Sequence, residues 1–258
     1  MFDRFLARIA VELGDRVIVK GGVVLELRLA RARTTRDIDL RVVGDPATLE
    51  TQLRAAAARD LGDHLEFEVH ADPTHPTIEG EGIVYKGRRF RAAARLAGRQ
   101  YGAPFGVDAG FADRLIYEPE MLTGSTALEF AGIAASRYRV YPRESHVAER
   151  LHAFTLPRLR ENTRVKDLPD LALLAQTGSL DGSRLRAALD ATFGFRGTHP
   201  LPAAVPPPVA WAAPYARIAA ADMLPWLTID EITVAVRTFL DSVLLGTTQT
   251  WDAAWRWR

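Results

Sequence analysis

The sequence predicts an α+β fold, with a mixed α/β region over residues 1–141 and a mostly helical region over residues 142–258. Three observations predict it. Short runs in the first half alternate apolar with polar residues, as half-buried strands do. Helix-period segments interrupt those runs without forming a regular strand–helix repeat. After about residue 142 the alternation stops and helical spacing takes over. No internal repeat is visible.

Residues 2–13 place Phe2, Leu6, Ile9 and Leu13 on one helical face. Val17 to Val19 reads as a short buried strand, broken by Gly21-Gly22 before a helix through VVLELRLAR. Residues 37–43 alternate with period two and end at Gly44-Asp45-Pro46. Residues 47–61 form an alanine-rich helix. In the next strand Leu65, Phe67 and Val69 alternate with Glu66, Glu68 and His70. Residues 82–96 read as a hairpin turning at Lys86-Gly87, and 104–111 as a further strand. Helices then follow at 144–156, where Val147, Leu151 and Phe154 share a face, from about 167 to a stop at Gly178, at 183–192 and at 229–244. Residues 200–214 hold six prolines and read as an extended connection. Trp251, Trp255 and Trp257 have a spacing that partly suits a helix packed on the body.

Composition narrows the function. The chain has 258 residues, 48% hydrophobic and 25% charged, with 33 basic against 32 acidic residues, the balance of an ordinary globular protein. That excludes a histone-like protein, a disordered acidic tail and a collagen. The absence of cysteine excludes disulfides and thiolate metal sites. No run of eighteen apolar residues offers a membrane span, and the N-terminal helix carries acids and arginines unlike a signal peptide, so a cytoplasmic protein is expected. Only Lys20, Lys86 and Lys166 are lysines; the other thirty basic residues are arginines. Either those lysines supply a compact ammonium that arginine cannot, or they survived a coding bias by chance.

The chemistry concentrates in DRVIVKGGVVLELRLARARTTRDIDLRV. A strand, Gly21-Gly22 and a helix form a turn whose backbone N–H groups can cradle phosphate oxygens. The same glycines are also ordinary turn residues. Asp37 and Asp39 lie two apart on a strand and share a face, while Ile38, Leu40 and Val42 face the core. Paired carboxylates suit a hard divalent cation, or else they pair with arginines on an exposed sheet. Asp108 stands in the apolar strand FGVDAGF, where a charge needs a partner. That partner is either a cation shared with Asp37 and Asp39 or an arginine of the preceding hairpin. Three such acids can serve phosphoryl or nucleotidyl transfer.

These residues resemble the nucleotidyltransferase superfamily, and most closely the AbiEii/MenT-type toxins of bacterial toxin–antitoxin systems. The resemblance rests on Lys20-Gly21-Gly22 with Leu25, Arg33, Thr35, Asp37-Ile38-Asp39-Leu40, Val107-Asp108, Tyr141-Pro142, Ala148-Glu149-Arg150-Leu151-His152-Ala153, Arg164-Val165-Lys166-Asp167 and Asp170-Leu171, in family order. It implies a nucleotidyltransferase-type mixed sheet flanked by helices, and transfer of a nucleotide from an NTP to the 3′ end of tRNA. It further implies Mg²⁺ or Mn²⁺ held by Asp37, Asp39 and Asp108, with Lys166 and Asp167 also catalytic. Lys20, Gly21, Gly22, Thr35, Arg150 and Asp170 would bind substrate. A cognate antitoxin is the implied partner of a chain expected to be monomeric when free. Thr35 sits where related toxins can carry a hydroxyl that antitoxin-linked phosphorylation blocks, and a phosphate there would oppose metal and NTP binding.

The chain departs from the family at Arg150, where lysine is usual; arginine keeps the charge and changes the reach. Pro169 stands where an aromatic is commoner and fits a helix's first turn, which also makes Asp167 a candidate N-cap. Between Gly82 and Val107 lie six basic residues and no acid, with Arg89, Arg91 and Arg95 on one strand face opposite Phe90 and Leu96. That strip is either an RNA or phosphate surface or a solvated sheet face. His146 and His152 read as surface or helix-packing residues. The leading expectation is a tRNA-modifying toxin. A small-molecule nucleotidyltransferase of the antibiotic-modifying type shares the same metal site. A catalytically decayed nucleotide-binding protein is the third reading, kept by Arg150.

Overall fold

The computed structural model describes residues 1–258 except 30, 31, 33, 79–86, 112–114, 159–161, 205–208 and 253, and the side chain of Val209. Arg33, Tyr85, Lys86 and the prolines at 206–208 therefore lie outside the described residues. Two compact units form. One comprises Met1–Leu27, Thr35–Asp113 and Pro119–Tyr141; the other comprises Arg28–Thr34, Arg114–Glu118 and Pro142–Arg258.

The first unit runs α1 (Phe2–Leu13), β1 (Val17–Lys20), α2 (Gly22–Arg28), β2 (Asp37–Val42), α3 (Leu49–Ala57), β3 (Leu65–Ala71), β4 (Thr77–Ile78), β5 (Gly87–Leu96), β6 (Arg99–Gln100), β7 (Phe105–Gly110), β8 (Glu120–Thr123) and β9 (Arg137–Val140). The strands form one mixed sheet in the order β3-β5-β7-β2-β1-β9-β8, with β4 and β6 also on β5. β2 runs parallel to β7 and β1 parallel to β9, while β1 and β2 are antiparallel. The fold is thus α+β with a mixed sheet, as the alternation in the sequence predicts.

One face of this sheet is the core. Val17 and Val19, Ile38 and Leu40, Phe90 and Ala92, and Val107 and Ala109 alternate onto it and meet Phe5, Leu6 and Ile9 of α1 and Leu49 and Leu53 of α3. Because strand side chains alternate, the residues between them fall on the opposite face. That second face carries Lys20, Asp37, Asp39, Arg89, Arg91 and Asp108.

Several expectations are corrected. Residues 87–96 are one continuous strand and Gly87 pairs with Ile78, while residues 82–86 of the expected hairpin lie outside the described residues. The turn comes later, at Ala97-Gly98, where both residues have positive φ and Leu96 pairs with Arg99. That is the two-residue hairpin twist glycine favours, and alanine at its first position disguises it. β8 and β9 had no expected counterpart, since strands of four residues give too few alternations to stand out. α3 covers only part of the segment 47–61.

The second unit holds α4 (Arg143–Thr155), α5 (Asp167–Ala175), β10 (Leu180–Asp181), α6 (Gly182–Arg196), α7 (Ala212–Ala221), α8 (Ile229–Leu244) and β11 (Thr250–Trp251). α4 packs on α5 and α6, and α5 on α8. The proline-rich connection is shorter than expected: α7 begins at Ala212 and accommodates Pro214 in its first turn, where no backbone N–H is needed. The terminal tryptophans are not on a helix. Trp251 lies in β11 opposite Leu180, and Trp257 bridges back to it. Trp251 is fully buried against Phe239 and donates its indole N–H to the Ala175 carbonyl at 2.9 Å. Among the described residues, no helix is long and apolar enough to cross a membrane.

Candidate functional site

Sheet register builds the site in the first unit. Lys20 pairs with Asp39, Asp39 with Asp108, and Asp108 with Arg89. Four adjacent strands, β1, β2, β7 and β5, therefore set a cation, two carboxylates and a second cation in one row. Neighbouring strands lie about 4.8 Å apart, so the two central acids sit side by side. Like charges directly opposed on a sheet destabilise it. One register step along, Asp37 faces Gly106, and Gly106 faces Arg91.

Two glycines let groups approach these acids closely. A Cβ on Gly21 would stand 1.8 Å from Asp39 Oδ2, and its φ of +71° is a conformation glycine adopts freely. The turn after β1 is thereby pressed against the Asp39 carboxylate. A Cβ on Gly106 would stand 2.6 Å from Asp37 Oδ1. Gly106 escaped the sequence reading, although a glycine inside a strand is itself a signal of close approach. The Lys20 ammonium lies over the Tyr141 ring at 5.7 Å. Thr35 donates its hydroxyl to the Asp37 carbonyl at 3.3 Å and its N–H to Glu26 at 2.8 Å.

Asp108 is engaged by arginine. Arg89 Nε and Nη2 donate to its two carboxylate oxygens, each at 2.8 Å. The hydrogen bond to Asp108 holds the Arg89 guanidinium in its charged form more firmly than usual, against partial desolvation. Of the two partners the sequence left open for Asp108, the arginine is the one seen, and it comes from β5. Arg91 donates to Asp72 at 3.0 Å. The N–H groups of His75 and Thr74 also bind Asp72 and, with Arg91, hold its carboxyl below the usual range despite burial. A cavity of about 500 Å³ opens here, lined by Asp37, Gly106, Asp108, Arg89, Arg91 and the Asp72, Thr74 and His75 turn. That turn was missed; its signal is the Asp-Pro-Thr-His run, since Asp readily caps N–H groups two and three residues on.

Among the described residues, no three carboxylate or imidazole groups converge as a metal cage. Asp37 and Asp39 offer hard oxygen donors on one face, with a glycine backed against each, and fit a divalent cation as a pair. Asp108 is paired with Arg89, whose positive charge opposes a cation on the same carboxylate.

The second unit holds the other predicted residues. Arg150 of α4 bonds Asp167 Oδ1 at 3.0 Å and Asp170 Oδ2 at 3.2 Å, and Arg164 also binds Asp167. Both acids are almost fully buried, at 2% and 0% exposure. Asp167 is the first residue of α5 rather than its cap; Lys166, exposed, takes the cap position without a side-chain bond. The Asp167 carboxylate is drawn to the guanidiniums of Arg150 and Arg164 instead of to the helix N–H groups.

His146 and His152 are buried, not at the surface. Burial, assisted by the charge of Arg150, pushes His146 down to about 3, and neither of its ring nitrogens has a hydrogen-bond partner. Burial and the charge of Arg196 push His152 down to about 3 as well. Its Nε2 meets the Thr198 hydroxyl at 2.8 Å.

Comparison with known proteins adds three findings. The sequence model of one family, Nucleotidyl transferase AbiEii toxin, Type IV TA system, matches residues 4–257. Comparison with curated proteins finds no match. Among solved structures, JHP933 from Helicobacter pylori is similar at a TM-score of 0.52 and 13% identity, over 94% of this chain and 91% of that one. A second H. pylori chain, described as a candidate nucleotidyltransferase, is similar at a TM-score of 0.48 and 13% identity, over 94% of each chain.

Proposed function

The chain belongs to the AbiEii nucleotidyltransferase toxin family of type IV toxin–antitoxin systems, and from that premise we propose that it transfers a nucleotidyl group from an NTP to the 3′ end of tRNA. The observation that carries the reading is the cross-sheet row Lys20, Asp39, Asp108 and Arg89, with Asp37 one step along and Gly21 packed on Asp39. Asp37 and Asp39 would hold Mg²⁺ or Mn²⁺, and Asp108 would complete the set. When bound, the cation supplies charge neutralisation at the α-phosphorus and a more acidic acceptor hydroxyl.

The chain's own groups do the rest. The turn at Gly21-Gly22 offers close backbone approach to the triphosphate, and Lys20 adds a positive charge on the same face. The cavity beside Asp37 and Asp108 gives the acceptor room next to the acids, within the usual size of small-ligand sites. In the transfer, the acceptor oxygen bonds to the α-phosphorus while the bond from that phosphorus to the bridging oxygen breaks. Pyrophosphate leaves with the electron pair, and the hydroxyl proton goes to water. A cognate antitoxin would oppose this activity. In the second unit, Lys166, Asp167, Asp170 and Arg150 carry roles implied by family resemblance. Arg150 there binds both acids of α5, so charge pairing within the unit already occupies its fork.

The test is label transfer from each α-³²P NTP to total tRNA with Mg²⁺, beside Asp39→Ala. Label on tRNA with wild type alone is expected. No label from folded protein that binds NTP overturns the tRNA reading, and label on a small hydroxylated compound instead moves the acceptor to that class.

A further inference from the structure

Three arginine–carboxylate clusters in the molecule can be ranked by how firmly they are fixed. Arg8 and Asp63 both have fully buried side chains, and Arg150 with Asp170 is nearly as enclosed at 14% and 0% exposure. Separating such pairs strands a charge away from water, which costs several kcal/mol. Arg89 and Asp108 differ: their side chains are 37% and 24% exposed and border the polar cavity. A pair this open is reached by water and other ions, which can replace either partner, although its two-point geometry makes it firmer than a single surface bond. Its neighbour Arg91 is itself 51% exposed and bonds Asp72, an acid fixed by two backbone N–H groups.

Charge along the row adds a second argument. Asp37, Asp39 and Asp108 bring three negative charges to a face that also holds Lys20, Arg41, Arg89 and Arg91. Arg89 takes one lone pair on each oxygen of Asp108 and sets its positive charge against that carboxylate, so a cation drawn to Asp108 meets a like charge there and competes with the bridge. A divalent cation on Asp37 and Asp39 would add two positive charges to this face, and Arg89 would then stand near a like charge. Directly beside it lies a cavity large enough for a phosphate-bearing group.

We propose that Arg89 is an exchangeable counter-ion for Asp108, neutralising that carboxylate in the cation-free protein and moving to a substrate phosphate when a divalent cation takes it. The proposal rests on the transferase reading for the identity of the cation site. It makes Arg89 a positioning residue that couples cation loading to substrate capture.

Mn²⁺ titration followed by electron paramagnetic resonance, without NTP or RNA, tests it on wild type, Arg89→Gln, Asp108→Asn, the double variant and Asp39→Asn. Circular dichroism confirms that each is folded. Arg89→Gln is expected to bind Mn²⁺ about tenfold more tightly than wild type, a difference of about 1.4 kcal/mol. That gain should vanish in the Asp108→Asn background. Unchanged or weaker binding in Arg89→Gln overturns the proposal, as does an equal gain without Asp108, which would mark a simple long-range charge effect. If binding is lost in Asp39→Asn while Arg89→Gln behaves as wild type, the exchange fails and the metal site stands. If no variant binds Mn²⁺, the metal site itself fails, and the exchange with it. Steady-state kinetics of Arg89→Gln locate the phosphate: a rise in KM for tRNA alone assigns it to the RNA backbone, and a rise for NTP alone assigns it to the triphosphate. No rise in either overturns the phosphate half of the exchange.

Discussion

Gly106 illustrates how closely the acids are packed by what surrounds them. Its missing Cβ leaves the space that Asp37 Oδ1 occupies, and an added methyl group would have to displace that carboxylate from 2.6 Å. Gly106→Ala is therefore expected to lower transfer at least about tenfold while costing only about 1–2 kcal/mol of stability, the range for modest overpacking. Activity and urea unfolding measured on the same preparation check this, and wild-type activity would show that Asp37 does not need its present position. Arg150 makes the complementary case of a residue held by what it binds. Its planar fork reaches Asp167 and Asp170 together, which one lysine ammonium does not reproduce. Arg150→Met should destabilise the protein by about 3 kcal/mol by removing a partner from two buried carboxylates. Arg150→Lys should recover part of that loss, and equal melting temperatures for both variants would refute the clamp.

At the scale of elements, α1 is tied to the segment before β3 by charge as well as by its apolar face. Arg8 forks onto Asp63 at 2.7 and 2.8 Å, and Arg4 adds a bond at 2.6 Å. Burial pushes the Asp63 carboxyl up, but the bonds from Arg8, Arg4 and the Leu65 N–H outweigh it and hold it well below the usual range. Asp63→Ala leaves the fully buried Arg8 without its acid and should cost about 3–5 kcal/mol. Chemical denaturation measures this, and a loss under 1 kcal/mol would mean that the carbonyls of Arg4, Arg59 and Leu65 suffice for the guanidinium.

The whole molecule should feel acid early, through its histidines. His146 and His152 titrate near 3 in the fold against an ordinary value of 6.5. Between those values the unfolded chain binds a proton that the folded chain refuses, so stability falls as pH drops from about 6.5 toward 3. Each histidine contributes a slope of about 1 kcal/mol per pH unit in that window. Asp63 acts lower down: its contribution is complete above its ordinary value of 3.8 and is lost as pH falls through its depressed folded value. Unfolding midpoints taken from pH 7.5 to 4.5 should therefore drop mainly through the histidines. His199, also lowered by burial, adds to the same slope, so His146→Leu should reduce it by less than half, and an unaltered slope would remove His146 from the account.

The sequence by itself determined the sheet's polarity and the identity of the acids. Alternation over Asp37 to Val42 and Phe105 to Gly110 sorts core residues from carboxylates, because the period of a strand is two whatever it pairs with. The same local rules located α1, β1, α4 and α8 within a residue or two. Family motifs marked Lys20, Gly21, Asp37, Asp39 and Asp108 before any geometry was known. Only tertiary structure decided who stands beside whom. Register between β2, β7 and β5 is set by packing across the whole sheet, and no local pattern says that Asp39 meets Asp108 or that Arg89, rather than Arg91 or Arg95, closes on it. Short strands such as β9 and β11 owe their existence to neighbours distant in sequence. The burial of Arg8, His146 and His152 likewise depends on elements far along the chain. A polar residue's local pattern reports its own helix face, while its burial depends on what packs over that face.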